Sequence, residues 1–335
     1  DEGKVLIEVV EGRLGNVLAQ GNDGYSAETL AEPFAALIDA PVTNTGIESA
    51  ILTLRDYPGL TPTAVFRPGE LVGTSDLVIS VQNEKSVDVA VQLDNNGSRF
   101  TGERRAVMEA RMNNPTGIGD RLGVDVIQTY KPKNSLYYAL SYEYPVLPGT
   151  TLVTNYSRQG FEVGGDQEAF DITGVQRSLS VAVRHSAVRS RFENLQANVG
   201  LYKSNSLVKR ALVEISEDHL AYLGAGLNYD RIDTEWNGID VAMIGTKYGL
   251  GGHFGGMDAD LVTARGTPPS RRSSNGTGRF ASNAFWMMEG SYTRLQNIEH
   301  DMDILFRVQG QWSNSLLTST NQLKLGGPNS VRAYP

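Results

Sequence analysis

The side chains most able to do chemistry at neutral pH are four histidines, at 185, 219, 253 and 300. A metal site needs a second ligand a few residues away, and none of the four stands at such spacing from another. His185 and His300 flank short turns, and His219 and His253 lie near loops, so each reads as a solvated polar residue. Spacing alone assembles no nucleophile–base–acid triad. The glycine-rich run GIGDRLG (117–123) precedes an apolar alternation, whereas a phosphate loop opens a helix, so it reads as a hairpin turn. No catalytic residue, metal or cofactor is assigned. One charge stands out: Arg332, in LGGPNSVRAYP (325–335), follows a turn at Gly326, Gly327 and Pro328 and sits between Val331 and Ala333, with Tyr334 next. A loop that merely connects strands needs no such arrangement.

The elements that would hold such residues are bounded by composition. The chain has 335 residues, enough for one large or two ordinary domains. Its formal charge is −8 with both signs interspersed, which excludes the basic face of a nucleic-acid-binding protein. The absence of cysteine excludes structural disulfides and thiolate metal sites. Residues 1–4 carry no signal-type segment, so an exported protein would have its leader outside this sequence. No apolar run reaches the length of a transmembrane helix, which leaves a β-barrel as the one membrane architecture. On composition alone, a soluble all-β domain is the simpler reading.

Residues 1–85 differ from the rest. KVLIEVVEG (4–12) is a β-rich run ended by Gly12. SAETLAEPFAALI (26–38) reads as a helix with Ser26 as N-cap and Pro33 weakening its middle. TNTGIESAILTLRDYPG (43–59) reads as a second helix, with Thr45 and Glu48 at capping-box spacing and Pro58-Gly59 as the stop. Two strands follow, TPTAVFR (61–67) and SDLVISVQNE (75–84). Pro62 and Pro68 flank the first, which places it at a sheet edge because proline donates no ladder bond. The expected order is β-α-α-β-β with a free edge over Thr63, Ala64, Val65 and Phe66. Such an edge can accept an extended partner strand, or can be closed by solvent or a neighbouring domain.

From Val87 to Leu317 the period is two. Val87, Val89, Val91 and Leu93 alternate with polar or small residues, as do Met108 and Met112, Leu122 to Val126, Tyr138 to Tyr144, Leu152 to Tyr156, Leu179 to Val183, Leu195 to Leu201 and Leu223 to Tyr229. The runs 238–250, 284–296 and 304–312 complete about eleven strands. In a soluble sandwich the apolar face points inward, and in a membrane barrel it points to lipid; alternation does not separate the two. Short turns at 114–120, 145–150, 190–193, 234–238 and 299–301 alternate with other connections, of which 165–174 and 251–279 are long. That is the pattern of an outer-membrane barrel. Trp236, Trp286, Trp312, Tyr130, Tyr138, Tyr144 and Tyr292 are candidates for its interfacial girdles, or for core packing in a sandwich. An odd strand count cannot close such a barrel, so the sequence is expected to be a fragment.

With this order of elements, the hairpin DNNGSRFTGERR (94–105), the turn NPTGIGDRL (114–122), the strand LFRVQGQWSNSLL (305–317) and NQLKLGGPNSVRAY (321–334) resemble the transporter partner of two-partner secretion, the TpsB or ShlB/FhaC/HecB-type family. The resemblance spans almost the whole chain. It implies a second polypeptide-transport-associated (POTRA) domain at 1–85, on the periplasmic side. Over 86–335 it implies strands one to eleven of an outer-membrane barrel of about sixteen, plus the start of the sixth extracellular loop. A plug helix, a first POTRA domain and the last strands would lie outside this sequence. In the family that loop folds back into the barrel and its arginine, here Arg332, meets an aspartate on the inner wall. Gly326, Gly327, Val331, Arg332 and Tyr334 are the matching loop residues, while Ala333 replaces the usual glycine.

The resemblance also implies a function without bond chemistry. The POTRA module would capture an unfolded exoprotein of adhesin or haemolysin type, at the edge Thr63–Phe66 and an adjacent helix groove, and the client would thread outward through a monomeric barrel. The expected partners are that exoprotein and the lipid and lipopolysaccharide of the outer membrane. The alternatives are a barrel-assembly or insertion factor of the same superfamily, distinguished by more POTRA domains upstream, and a passive porin, which would have no α/β module.

Overall fold

The computed structural model describes residues 11–257, 280–298 and 302–323. The chain begins as an α/β unit: β1 (Arg13–Gln20), α1 (Ala27–Ala31), α2 (Asn44–Arg55), β2 (Leu60–Pro68) and β3 (Thr74–Glu84). β3 is central, with β1 parallel on one side and β2 antiparallel on the other. β2 is therefore an edge strand, as its flanking prolines require. Leu14, Leu30, Phe34, Ile47, Leu54, Leu77 and Ile79 form the core between the sheet and its helices.

Two local expectations are corrected, and a third falls outside the described residues. The expected strand at 4–12 lies largely outside the described residues; the described first strand begins at Arg13. Its pattern is weak because it is specified by a distant partner: Leu18 pairs with Val78, and Asp76 accepts the Asn16 N–H at 2.7 Å. The helix at 26–38 starts at its expected cap, where Ser26 accepts the Thr29 N–H at 3.1 Å, but continues as a tighter 3-10 turn over Glu32–Leu37. Pro33 has no N–H to give the α-helical ladder. The cap of α2 is Thr43, which accepts the Gly46 N–H at 3.2 Å, and not Thr45, which lies inside the helix.

The remainder is one antiparallel sheet in which each strand pairs with its sequence neighbour. The strands are β4 (Val87–Asp94), β5 (Arg104–Asn113), β6 (Arg121–Tyr130), β7 (Ser135–Leu147), β8 (Thr150–Glu162), β9 (Ile172–Arg189), β10 (Glu193–Arg210), β11 (Val213–Asp233), β12 (Gly238–Gly249), β13 (Trp286–Ile298) and β14 (Met302–Ser313). All eleven expected alternations are strands, and the described sheet is open between β4 and β14. β10 and β11 run much further than their alternations indicated, joined by a tight hairpin in which Ala211 and Leu212 both take positive φ.

Directly paired residues of an antiparallel ladder point to the same face. One face carries Val89, Val91, Met108, Val126, Leu140, Val181, Leu201, Leu223 and Val308. Many of these stay open, with Val91 71% and Leu93 79% exposed. No second layer of the described chain covers this face, so it is not the interior of a sandwich. Trp286 and Trp312 meet edge to face on it, 5.3 Å between centroids, at the end bearing the long loops. The other face carries Arg111, Asp125, Glu143, Arg184, Asn198, Lys247 and Glu289.

Candidate functional site

The edge residues singled out in the sequence lie beside a groove. α2 buries Ile47, Ala50 and Leu54 against the sheet. Its next face, Glu48, Ile51, Leu52 and Arg55, lines a cavity of about 260 Å³ together with Thr63 and Ala64 of β2. Thr63 also donates from Oγ1 to the Ser80 carbonyl at 3.2 Å, which ties the strand to β3. Val65 and Phe66 continue the strand outward and are 60% and 45% exposed. Edge backbone and apolar side chains are thus offered together, as β-augmentation requires.

The far wall of this groove belongs to the large sheet. Arg191, in the turn between β9 and β10, lines the same cavity and lies 3.1 Å from Glu48. Nearby, Arg189 binds Asp56 with Nε and Nη2 at 2.7 and 2.8 Å. The turn between β5 and β6 docks alongside, where Asn114 donates from Nδ2 to the Gly24 carbonyl at 2.9 Å. Gly119, at φ +87, places the tip of that turn against Tyr25, Tyr57 and Pro145, in a backbone conformation that L side chains rarely adopt. Tyr25 is 2% exposed and donates to the Pro58 carbonyl at 2.7 Å; burial, reinforced by the Glu84 carboxylate, pushes its phenol well above the ordinary range. The α/β unit therefore sits at the short-turn end of the sheet. Between them is a second cavity of about 370 Å³, with Thr53, Asp56 and Tyr57 on one side and Arg121, Glu143, Arg184 and Asp230 on the other.

The polar face is laced by cross-strand ion pairs. Arg111 lies 2.6 Å from Asp125, Arg184 3.0 Å from Glu143, and Lys247 3.0 Å from Glu289. Arg105 grips Asp94 through two bonds of 2.7 and 2.9 Å. Arg184 and Glu143 reach each other over the intervening β8, while the other pairs join adjacent strands, where opposite charges stabilise the sheet.

At the long-loop end, chain folds inward over that face. Leu317, beyond β14, joins Leu220, Met257, Phe285 and Met287 in a buried cluster. Asn283 is wholly buried: its Oδ1 accepts the Ala221 N–H at 3.0 Å, and its Nδ2 donates to the carbonyls of Ala221 and Gly251, each at 2.8 Å. Gln311, on the polar face of β14, donates to the Asn321 carbonyl at 2.7 Å and accepts the Leu323 N–H at 3.0 Å. The segment leading toward Arg332 is thus laid on the inner wall as far as Leu323. Gly326, Gly327, Val331, Arg332 and Tyr334 lie outside the described residues. The inward tether at Gln311 and Asn283 was missed in the sequence, because an isolated Gln or Asn carries no periodic signal.

Comparisons with known proteins agree with this geometry. The family described as haemolysin secretion/activation protein ShlB/FhaC/HecB matches residues 73–335. The heme/hemopexin transporter protein HuxB of Haemophilus influenzae is 23% identical over 347 residues, covering 100% of this chain and 57% of that protein. The structure of CdiB from Escherichia coli superposes with a TM-score of 0.79 at 22% identity, over 97% of this chain and 58% of that one. CdiB from Acinetobacter baumannii gives 0.70 at 18% identity, over 97% and 57%. The chain therefore spans little more than half the length of the proteins it matches. With the family covering most of its length and the fold shared with CdiB, the chain belongs to the ShlB/FhaC/HecB family of outer-membrane β-barrel transporters of two-partner secretion.

Proposed function

We propose that this protein captures an unfolded exoprotein of adhesin or haemolysin type in the periplasm and passes it outward through its barrel. In this reading residues 1–85 are the second POTRA domain and residues 86–335 the first eleven barrel strands with the start of the sixth extracellular loop. The observation that carries it is the joint groove of α2 and β2, whose mouth is shared with Arg191 of the large sheet. A chain added to the β2 edge is delivered beside the short-turn end of the polar wall. The apolar outer face meets lipid and lipopolysaccharide, and the barrel acts as a monomer. Arg332 locks the sixth loop to an acidic residue of the inner wall, a role supported by the inward course of residues 314–323. Folding of the client outside supplies direction, and no bond is broken.

The test is secretion of the partner exoprotein by the full-length protein in cells. Val65→Pro, which disturbs the edge backbone, and Phe66→Ser, which alters only a side chain 45% exposed, are each expected to cut secretion severalfold with normal barrel insertion. Undiminished secretion by both would remove β2 as the capture strand.

A further inference from the structure

At its short-turn end the polar face of the large sheet carries a row of aliphatic residues. Ile232, Ile239, Leu295 and Leu305 stand in direct register across β11, β12, β13 and β14. On the same face Asp230 lies two residues before Ile232, and Lys247 and Glu289 lie further along β12 and β13. Val241 and Met243 extend the patch along β12. Each of the six is between 38% and 59% exposed. On the reverse of these strands Arg294 binds Asp240 at 2.8 Å and Asp233 at 2.9 Å. The usual polarity is thus inverted locally, with aliphatic residues on the polar wall and charges outside.

A slip of one residue would produce such an inversion, but the three ladders run here without a break in register. Further along the same strands the ordinary order returns, with Ile244, Met288 and Val308 on the apolar face and Lys247, Glu289 and Gln311 on the polar one. The row is a feature of the wall itself. It lies next to the 234–237 turn, hence at the end where the α/β unit docks. That unit is held by Asn114, Arg189 and Arg191, on the turns of β5–β6 and β9–β10. The cavity beneath it reaches across the wall to Asn228 and Asp230, and the row begins two residues further on. So the half of the opening under the α/β unit is lined by ion pairs, while the half it leaves free carries the aliphatic row one step inside Asn297 and Asp303.

We propose that this row is the first contact inside the barrel for the polypeptide in transit, and that it takes an extended chain with apolar side chains at alternate positions. The inference rests on the transporter reading above. Three inter-strand steps of about 4.8 Å make the row about 14 Å wide, enough for two successive same-side residues of an extended strand, about 6.8 Å apart. Aliphatic contacts are undirected, so they accept any β-forming sequence, and a single row holds it weakly enough for release. Backbone bonding at β2 would hand the chain to side-chain contact here.

The experiment places a photo-crosslinking amino acid at position 295 of the full-length protein in detergent micelles. Two unstructured sixteen-residue peptides are added, one alternating Val and Ser and one of Ser and Thr only. The Val peptide is expected to crosslink at least fivefold more, and Ile239→Asn with Leu305→Asn to abolish the difference. Equal yields from both peptides would overturn the proposal, as would capture of the protein's own chain at position 295. A protein that fails to secrete its exoprotein at all fails the transporter reading; one that secretes but shows no peptide preference fails only this inference. Should the double variant not fold, the comparison of the two peptides on the otherwise unaltered chain still decides.

Discussion

Arg189 closes two hydrogen bonds on Asp56, joining the last residue of β9 to the C-cap of α2 across 133 residues of sequence. This pair fixes how the α/β unit sits beneath the sheet. Asp56 is partly open to solvent, so the pair is worth about 1 kcal/mol. Asp56→Asn or Arg189→Gln is expected to speed protease cleavage at residues 84–87 about fivefold. The swap Asp56→Arg with Arg189→Asp is expected to recover much of the protection, whereas additive losses in the double variant would show that the two side chains do not act as a pair.

Asn283 replaces a missing strand. Beyond Gly249 the β12 pairing ends; the Asn283 amide accepts the Ala221 N–H and shares the Ala221 carbonyl with the Leu250 N–H. Replacement by Leu leaves the Ala221 N–H without this buried acceptor, at a cost of about 1–3 kcal/mol. Amide exchange at Ala221 and Gly251 is expected to accelerate about tenfold or more, with the rest of the barrel unchanged. Unaltered exchange would mean that the inward fold of this loop is held elsewhere.

Tyr25 links the stability of the α/β unit to alkaline pH. Its phenol is shifted upward by burial and by Glu84, so the folded state keeps the proton where an unfolded chain would release it. Its contribution is fully present below about pH 10 and is lost as pH rises toward the folded value, by up to about 1.4 kcal/mol per pH unit. Protease resistance of the unit should fall above pH 10, and Tyr25→Phe should flatten that dependence. An equal slope in both proteins would assign the loss to other groups.

Arg332 follows a segment tethered to the inner wall at Gln311. Arg332→Ala is expected to lower secretion at least tenfold while the barrel still inserts, as judged by heat-modifiable migration. A lock of charge type predicts partial rescue by Lys; normal secretion from the Ala variant would dismiss it.

Much of this protein is legible without coordinates. A period of two sustained from Val87 to Trp312 names every strand of the large sheet, because alternation is a local property of an extended backbone. Turn residues in the same way mark most of its hairpins. The family likeness is carried by contiguous motifs, of which NPTGIGDRL packs its Gly119 under Tyr25 and Tyr57.

Local patterning reaches only properties a residue shares with its near neighbours. Whether the apolar face packs under a second layer is left open by alternation, which is symmetric; in the described chain Val91 and Leu93 stay exposed. β1 escaped notice because its register is set by β3, some sixty residues away. The docking of Asp56 on Arg189, the shared groove at Glu48 and Arg191, and the aliphatic row from Ile232 to Leu305 are likewise tertiary facts. Each joins residues whose spacing along the chain carries no signal, and only strand pairing and the docking of the α/β unit bring them side by side.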